Sequence, residues 1–283
     1  MTKLIVIPSS RDMVYDLVDK CDGFILGLKD MAVNLPYYFS YEEIEELIIY
    51  LNSKNKDIFI SLNKNMHNKD LVYLEDVLIK LEGKKITGIM YYDISIVNMK
   101  KRLNLKNDIV WSQEHLTTNY STINYWYNEG SKYTYISSEI TKREIDEIIK
   151  NTDSKLLVNV FGYLPIFTSR RHLVDNYLTK FNKDKKDKMH YMYKEGKTYP
   201  VIDDELGTIA YSEYILDGLK EYISLDIDYG VVNSFLIDGI DKVLDIFNST
   251  NKDNIDEKED EIKELISNTS EGFFIQETIY KVK

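Results

Sequence analysis

Ser169, Arg170, Arg171 and His172 stand together just beyond an apolar, β-branched run at 156–160, with Gly162 marking a turn and Pro165 on the way. A buried strand that ends in a polar cluster is how a scaffold presents chemistry. Other apolar runs end the same way: Asn63 and His67 follow one, Asp93 a second, Gln113, Glu114 and His115 a third, Ser137 and Glu139 a fourth, and Asp238 a last one. Among these, Glu114, Asp93 and Asp238 are carboxylates able to act as general base or acid, with Glu114 and Asp238 preferred, and Arg170 can clamp a carboxylate or phosphate through two parallel N–H donors. Asn63, Gln113 and Asn119 are placed to orient a ligand, and His67, Glu139 and Ser169 to line its pocket. Asp93 serves equally well as a helix cap. Ser169 near His172 is no catalytic serine motif, because no G-x-S-x-G elbow surrounds it. No H-E-x-x-H or comparable ligand spacing occurs, so no metal site is expected.

For these residues to meet, the runs that carry them must share one end of one sheet. Strands are expected at 4–7, 22–28, 57–62, 86–91, 109–113, 133–136, 155–161 and 234–237, alternating with helices. Two of those helices begin with capping boxes, Ser40 with Glu43 and Thr141 with Glu144, in which hydroxyl and carboxylate each satisfy a free backbone N–H. Eight strand–helix units predict a (β/α)8 TIM-type barrel, whose polar strand tips share one cavity. The rival, an open doubly wound sheet, would show a glycine-rich loop after the first strand; here Pro8, Ser9 and Ser10 follow instead. The chain 1–283 is expected to be a single barrel domain. Residues 163–233 form an insertion on its rim, with a β-hairpin around Asp204–Gly207, and 271–283 a closing strand.

Composition narrows the function. With 36 basic and 47 acidic residues the net charge is −11, which repels polyanions except where basic residues cluster. Such a cluster lies at 180–197, seven lysines against three acids, with Tyr191 and Tyr193 in it. This pattern suits either a solvated loop or contact with a nucleic-acid backbone and its bases. The single cysteine, Cys21, cannot build a disulfide framework or a four-thiolate site. No run reaches the roughly 20 apolar residues of a membrane span, and the opening MTKLIVIPSS reads as a strand, so a cytoplasmic protein is expected.

Taken together, SLNKNMHN (61–68), WSQEHLTTNYSTINYW (111–126), VFGYLPIFTSRRHLVDNY (160–177), TYPVIDDELGT (198–208), FLIDGI (235–240) and ETIYKVK (277–283) resemble the collagenase-like peptidase family, in its short, cysteine-poor branch. The resemblance implies one of two activities, the peptidase activity of the family name or the hydroxylation of RNA. In the second case relatives form 5-hydroxyuridine at the transfer-RNA wobble position with prephenate as the hydroxyl donor. Many relatives hold an iron–sulfur cluster through cysteines, but here Leu164, Pro165 and His172 stand in the strand-seven motif that carries them. Two cations of the family pattern are also replaced, by Ser138 and Leu236, while Arg170, Glu139, Asp238, Asn119 and Gln113 remain. The expectation is a cluster-free subunit working on tRNA beside a cysteine-bearing paralogue. The alternatives are a peptidase or a barrel that binds without catalysing.

Overall fold

The computed structural model describes residues 2–113, 115–184 and 187–276. Strands β1 (Lys3–Ile7), β2 (Gly23–Leu28), β3 (Asp57–Leu62), β4 (Gly88–Tyr91), β5 (Ile109–Trp111), β6 (Tyr133–Tyr135) and β7 (Lys155–Ser169) lie side by side and parallel. After β8 (Met189–Lys194), β9 (Lys197–Asp204) and β10 (Gly207–Asp217), β11 (Tyr229–Asn233) pairs in parallel with both β1 and β7. That double pairing closes an eight-stranded parallel barrel, as the strand–helix alternation predicts.

The helices between the barrel strands, among them α1 (Arg11–Leu17), α3 (Leu71–Leu81) and α4 (Ser95–Leu103), cover the outside because each turns an apolar face inward. In α2 (Tyr41–Ser53) the buried residues are Ile44, Leu47, Ile48 and Leu51, at helical spacing. Both expected capping boxes form: Ser40 Oγ accepts from Glu43 N at 3.2 Å while the Glu43 carboxylate accepts from Ser40 N at 2.8 Å. The Thr141–Glu144 pair starts α6 (Lys142–Lys150) in the same way.

Three expectations are corrected. The last barrel strand is 229–233, not 234–237; Ser234–Ile237 is a turn, with Ile237 N donating to Ser234 O at 3.2 Å and Leu236 at φ +53°. The pair Val231–Val232, buried on both faces, is the stronger strand signal. The chain also does not turn at Gly162. β7 continues through it to Ser169, because Gly162 at φ +113° bends the strand without ending it. Beyond that bend β7 leaves the barrel and pairs antiparallel with β10, from Asp217 opposite Phe161 to Thr208 opposite Ser169. The expected hairpin is present, Asp204 opposite Gly207. Residues 272–274 form a 3-10 turn where a strand was expected, and the remainder of that expectation, 277–283, lies outside the described residues.

The barrel interior follows from the period of two in a strand. Ile5, Ile25, Phe59, Val110, Leu157 and Val231 point inward and form one cluster. Tyr133 and Tyr229 each pack edge to face with Phe59, at 5.6 and 5.3 Å, and their own rings lie 6.2 Å apart, tilted at 55°. This apolar plug closes the N-terminal end, so the one open end lies at the strand C-termini.

One buried carboxyl group belongs to the inserted strand β10 and not to the barrel. Asp217, at the end of β10, is 4% exposed, and burial pushes its carboxyl up to about 6. Its folded pKa is above the unfolded value near 3.9, so the unfavourable contribution is absent below about pH 4 and complete above about pH 6. Asp217→Asn is expected to stabilise the protein by up to about 3 kcal/mol at pH 8. Thermal melts of both proteins should converge by about pH 4; a stability difference independent of pH would refute the assignment.

Candidate functional site at the barrel mouth

At the open end the inward-pointing series turns polar. Above the apolar layers β3 contributes Ser61, the loop after β5 Ser112, the loop after β6 Ser137, β7 Asn159 and β11 Asn233. Each continues the inward parity of its strand, so the fold gathers them at one level. They surround a chamber of about 40 Å³, together with Ile7, Met90 and Tyr135. A vestibule of about 220 Å³ opens above it, lined by Asn65, Tyr92, Thr168 and Arg170 among others. Asn34, Asn63, Ser112 and His115 line both spaces.

The chamber walls are held by hydrogen bonds. Tyr135 donates to Asn159 Oδ1, and Asn159 Nδ2 donates to Ser138 Oγ at 2.6 Å. Asn233 Nδ2 donates to Tyr163 O at 3.0 Å and its Oδ1 accepts from Phe235 N at 3.1 Å. Ser61 is the exception: it is 1% exposed, and its hydroxyl has no hydrogen-bond partner among the described residues. A buried hydroxyl left unpaired costs about 1–3 kcal/mol, and here it faces a cavity in which a ligand can satisfy it.

At the rim, His115 Nδ1 lies 3.6 Å from Glu139 Oε1, both side chains about half exposed. A histidine beside a carboxylate can take up a proton and keep a compensating charge next to it. The extension of β7 forms a roof. Pro165 lines the chamber, Thr168 Oγ1 bonds Asn34 Oδ1 at 2.7 Å, and Arg170 donates to the carbonyl of Asn65. Arg170 is the one cation among the vestibule residues.

Of the residues expected to act, the mouth brings together Asn63, Glu139 and Arg170, along with His115 and Ser137. Asn63 is already occupied: its amide donates to Val33 O at 3.1 Å and accepts from Val33 N at 2.9 Å, fixing the loop after β2. Among the described residues the others do not line the mouth. His67 is exposed at the start of a 3-10 turn, its N–H donating to Asp70. Asn119 caps α5 (Tyr120–Asn128), accepting from Thr122 N at 2.9 Å. Gln113 opens a turn in which its carbonyl accepts from Leu116 and Thr117. Ser169 Oγ accepts from Arg171 N at 3.1 Å. Asp238 is exposed beyond the turn that follows β11, and Glu114 lies outside the described residues. Asp93 caps, accepting from Ser95 N at 2.9 Å and Met66 N at 3.1 Å.

A four-thiolate cluster does not fit this donor set. Cys21 is buried at the opposite end of the barrel, and burial pushes its thiol up to about 12. His172, Asp175 and Asp203 bring one candidate ligand atom each within 4.8 Å of one another. The wholly buried Asp203 has a structural task there, accepting from Val174 N at 2.7 Å, Asp175 N at 3.2 Å, Thr208 Oγ1 at 3.0 Å and pairing with His172 Nδ1 at 3.1 Å. Burial alone would raise the Asp203 carboxyl, but these donors outweigh it and hold the group below its ordinary value. Asp203 thereby pins α7 (Leu173–Lys180) to the inserted sheet.

The chain is thus a closed α/β barrel with a plugged base and a polar chamber at its strand tips, roofed by an inserted hairpin, at the end where barrels of this kind hold their active sites. The chain belongs to Peptidase family U32, whose family model matches residues 17–276. It is 26% identical to tRNA hydroxylation protein P2 of Bacillus subtilis, over 98% of this chain and 99% of that protein. It is also 26% identical to tRNA hydroxylation protein P1 of the same organism, over 54% of this chain and 35% of that one. Among solved structures a U32 peptidase superposes with a TM-score of 0.53 at 13% identity, covering 82% of this chain and 92% of that one, a likeness of fold. No described helix is long and apolar enough to cross a membrane.

Proposed function

We propose that the chain is a cluster-free subunit of a tRNA hydroxylation system that forms wobble 5-hydroxyuridine, acting beside a cysteine-bearing paralogue. The observation that carries this reading is the end-to-end match to tRNA hydroxylation protein P2. The single cysteine supports the division of labour, since one thiolate cannot hold a four-thiolate cluster. In this reading the barrel mouth holds the small molecule that donates the hydroxyl group. A dicarboxylate such as prephenate enters through the vestibule, where Arg170 is the cation able to meet it. Ser61 and the neighbouring hydroxyls take up its uncharged end, and the His115–Glu139 pair handles a proton at the rim.

Two measurements test this. Tagged chain is expected to co-purify with a family member that carries the missing cysteines; recovery of the chain alone under mild conditions counts against the partnership. Arg170→Ala is expected to weaken prephenate binding by at least about tenfold, the loss of one charge-assisted bidentate contact, and calorimetry showing unchanged affinity would remove the clamp.

A further inference from the structure

The chemistry above needs an RNA, and the mouth itself is small and nearly uncharged. The insertion carries the opposite charge balance to the chain as a whole. Residues 170–197 carry nine lysines and arginines against four acids, +5, which leaves −16 on the remainder of a chain whose total is −11. The same stretch exposes aromatic side chains that the fold does not use. No residue of α7 is buried, and Tyr177 and the following Phe181 are 51% and 54% exposed. Their rings lie 4.8 Å apart at 48°. Lys183 Nζ sits 5.4 Å from the Tyr177 centroid and Lys180 Nζ 5.7 Å from that of Phe181. The helix is held at its other end, by Asp203 and Thr208. A helix anchored by polar contacts, with its aromatic residues turned to water under lysines, is a surface waiting for a ligand rather than a piece of core. Alternation places Met192 and Lys194 of β8 on the face of the inserted sheet that α7 covers, because they share parity with His190, which pairs with Val201.

We propose that α7 and the adjoining edge of β8 dock a single-stranded RNA segment, with bases stacked on Tyr177 and Phe181 and phosphates held by Lys180, Lys183 and Lys194. Charge complementarity selects a polyanion, and paired rings beneath cations select one that carries flat π faces of its own. That the segment is a transfer-RNA anticodon loop rests on the function proposed above; the docking of single-stranded RNA rests on this surface alone.

The test is fluorescence anisotropy with the full chain and a labelled oligouridylate of about 15 nucleotides. Two double variants are compared, Tyr177→Leu with Phe181→Leu and Lys180→Gln with Lys183→Gln. These side chains are exposed, and unchanged melting temperatures confirm that both variants fold. The ring variant should bind at least about fivefold more weakly, the loss of stacking by one base or more. The lysine variant should flatten the plot of log affinity against log salt by about 1.4, two phosphate contacts on a single strand. No binding by the parent chain, unchanged affinity and slope in both variants, or a response only to phosphatidylglycerol vesicles would each overturn the proposal. The two readings fail separately. Ring-dependent oligouridylate binding by a chain whose deletion leaves tRNA unmodified in no respect keeps the surface and removes the hydroxylation role. Loss of 5-hydroxyuridine on deletion, with ring-independent binding, does the reverse.

Discussion

Ser61→Val is expected to abolish function while leaving the protein as stable as before, or more stable by about 1 kcal/mol. The parent residue places a hydroxyl in a buried position with no partner among the described residues, a cost that valine removes. Valine is also favoured in a strand. Its two methyl groups project into a chamber of only about 40 Å³, and the hydroxyl that would meet a ligand is gone. Stability kept at the expense of function is the pattern of a binding residue, since a residue retained for folding would show the reverse. Urea denaturation and prephenate calorimetry on the same preparation separate the two. A Ser61→Val protein that binds normally would show that the chamber is not where the ligand sits.

Gly162→Ala is expected to destabilise the fold by about 4 kcal/mol or more, among the largest effects of a single methyl group. Gly162 has φ +113°, a conformation that alanine adopts only under strain. A Cβ there would lie 2.2 Å from the carbonyl oxygen of Asn233 and 2.9 Å from its Cβ. The neighbour cannot yield, because Asn233 belongs to β11, paired to both β1 and β7, and its amide bonds Tyr163. The site is lost with the fold, since Gly162 is where β7 leaves the barrel to become the roof. A loss below about 1 kcal/mol would mean that this bend is not fixed as described.

The barrel was legible in the sequence because each helix carries its own period and caps, and each strand its apolar run. Strand eight was misplaced because SFLI matches a strand by composition as well as YGVVN does; only pairing with β1 and β7 decides between them. The site was legible in part. Reading the residues just past each strand found Glu139, His115, Ser137 and Arg170, which do line the mouth. It also drew in Gln113, Asn119 and His67, which the local turns and caps use. The signal that would have found the rest is parity. Counting inward by twos from Phe59, Val110, Leu157 and Val231 reaches Ser61, Ser112, Asn159 and Asn233. Serine and asparagine at strand ends look like ordinary loop residues until the inward face is counted. The hairpin over the rim was legible, but the continuation of β7 into the roof was not, because a glycine with positive φ reads as a turn whether the strand stops there or bends and continues.

The most direct test is nucleoside mass spectrometry of bulk tRNA from cells that lack the gene and carry it back on a plasmid as the parent, Ser61→Val or Arg170→Ala form. The account predicts that deletion lowers 5-hydroxyuridine, that the parent gene restores it, and that Ser61→Val, folded and abundant, does not. Unchanged 5-hydroxyuridine in the deletion strain, or full restoration by both variants, would contradict it.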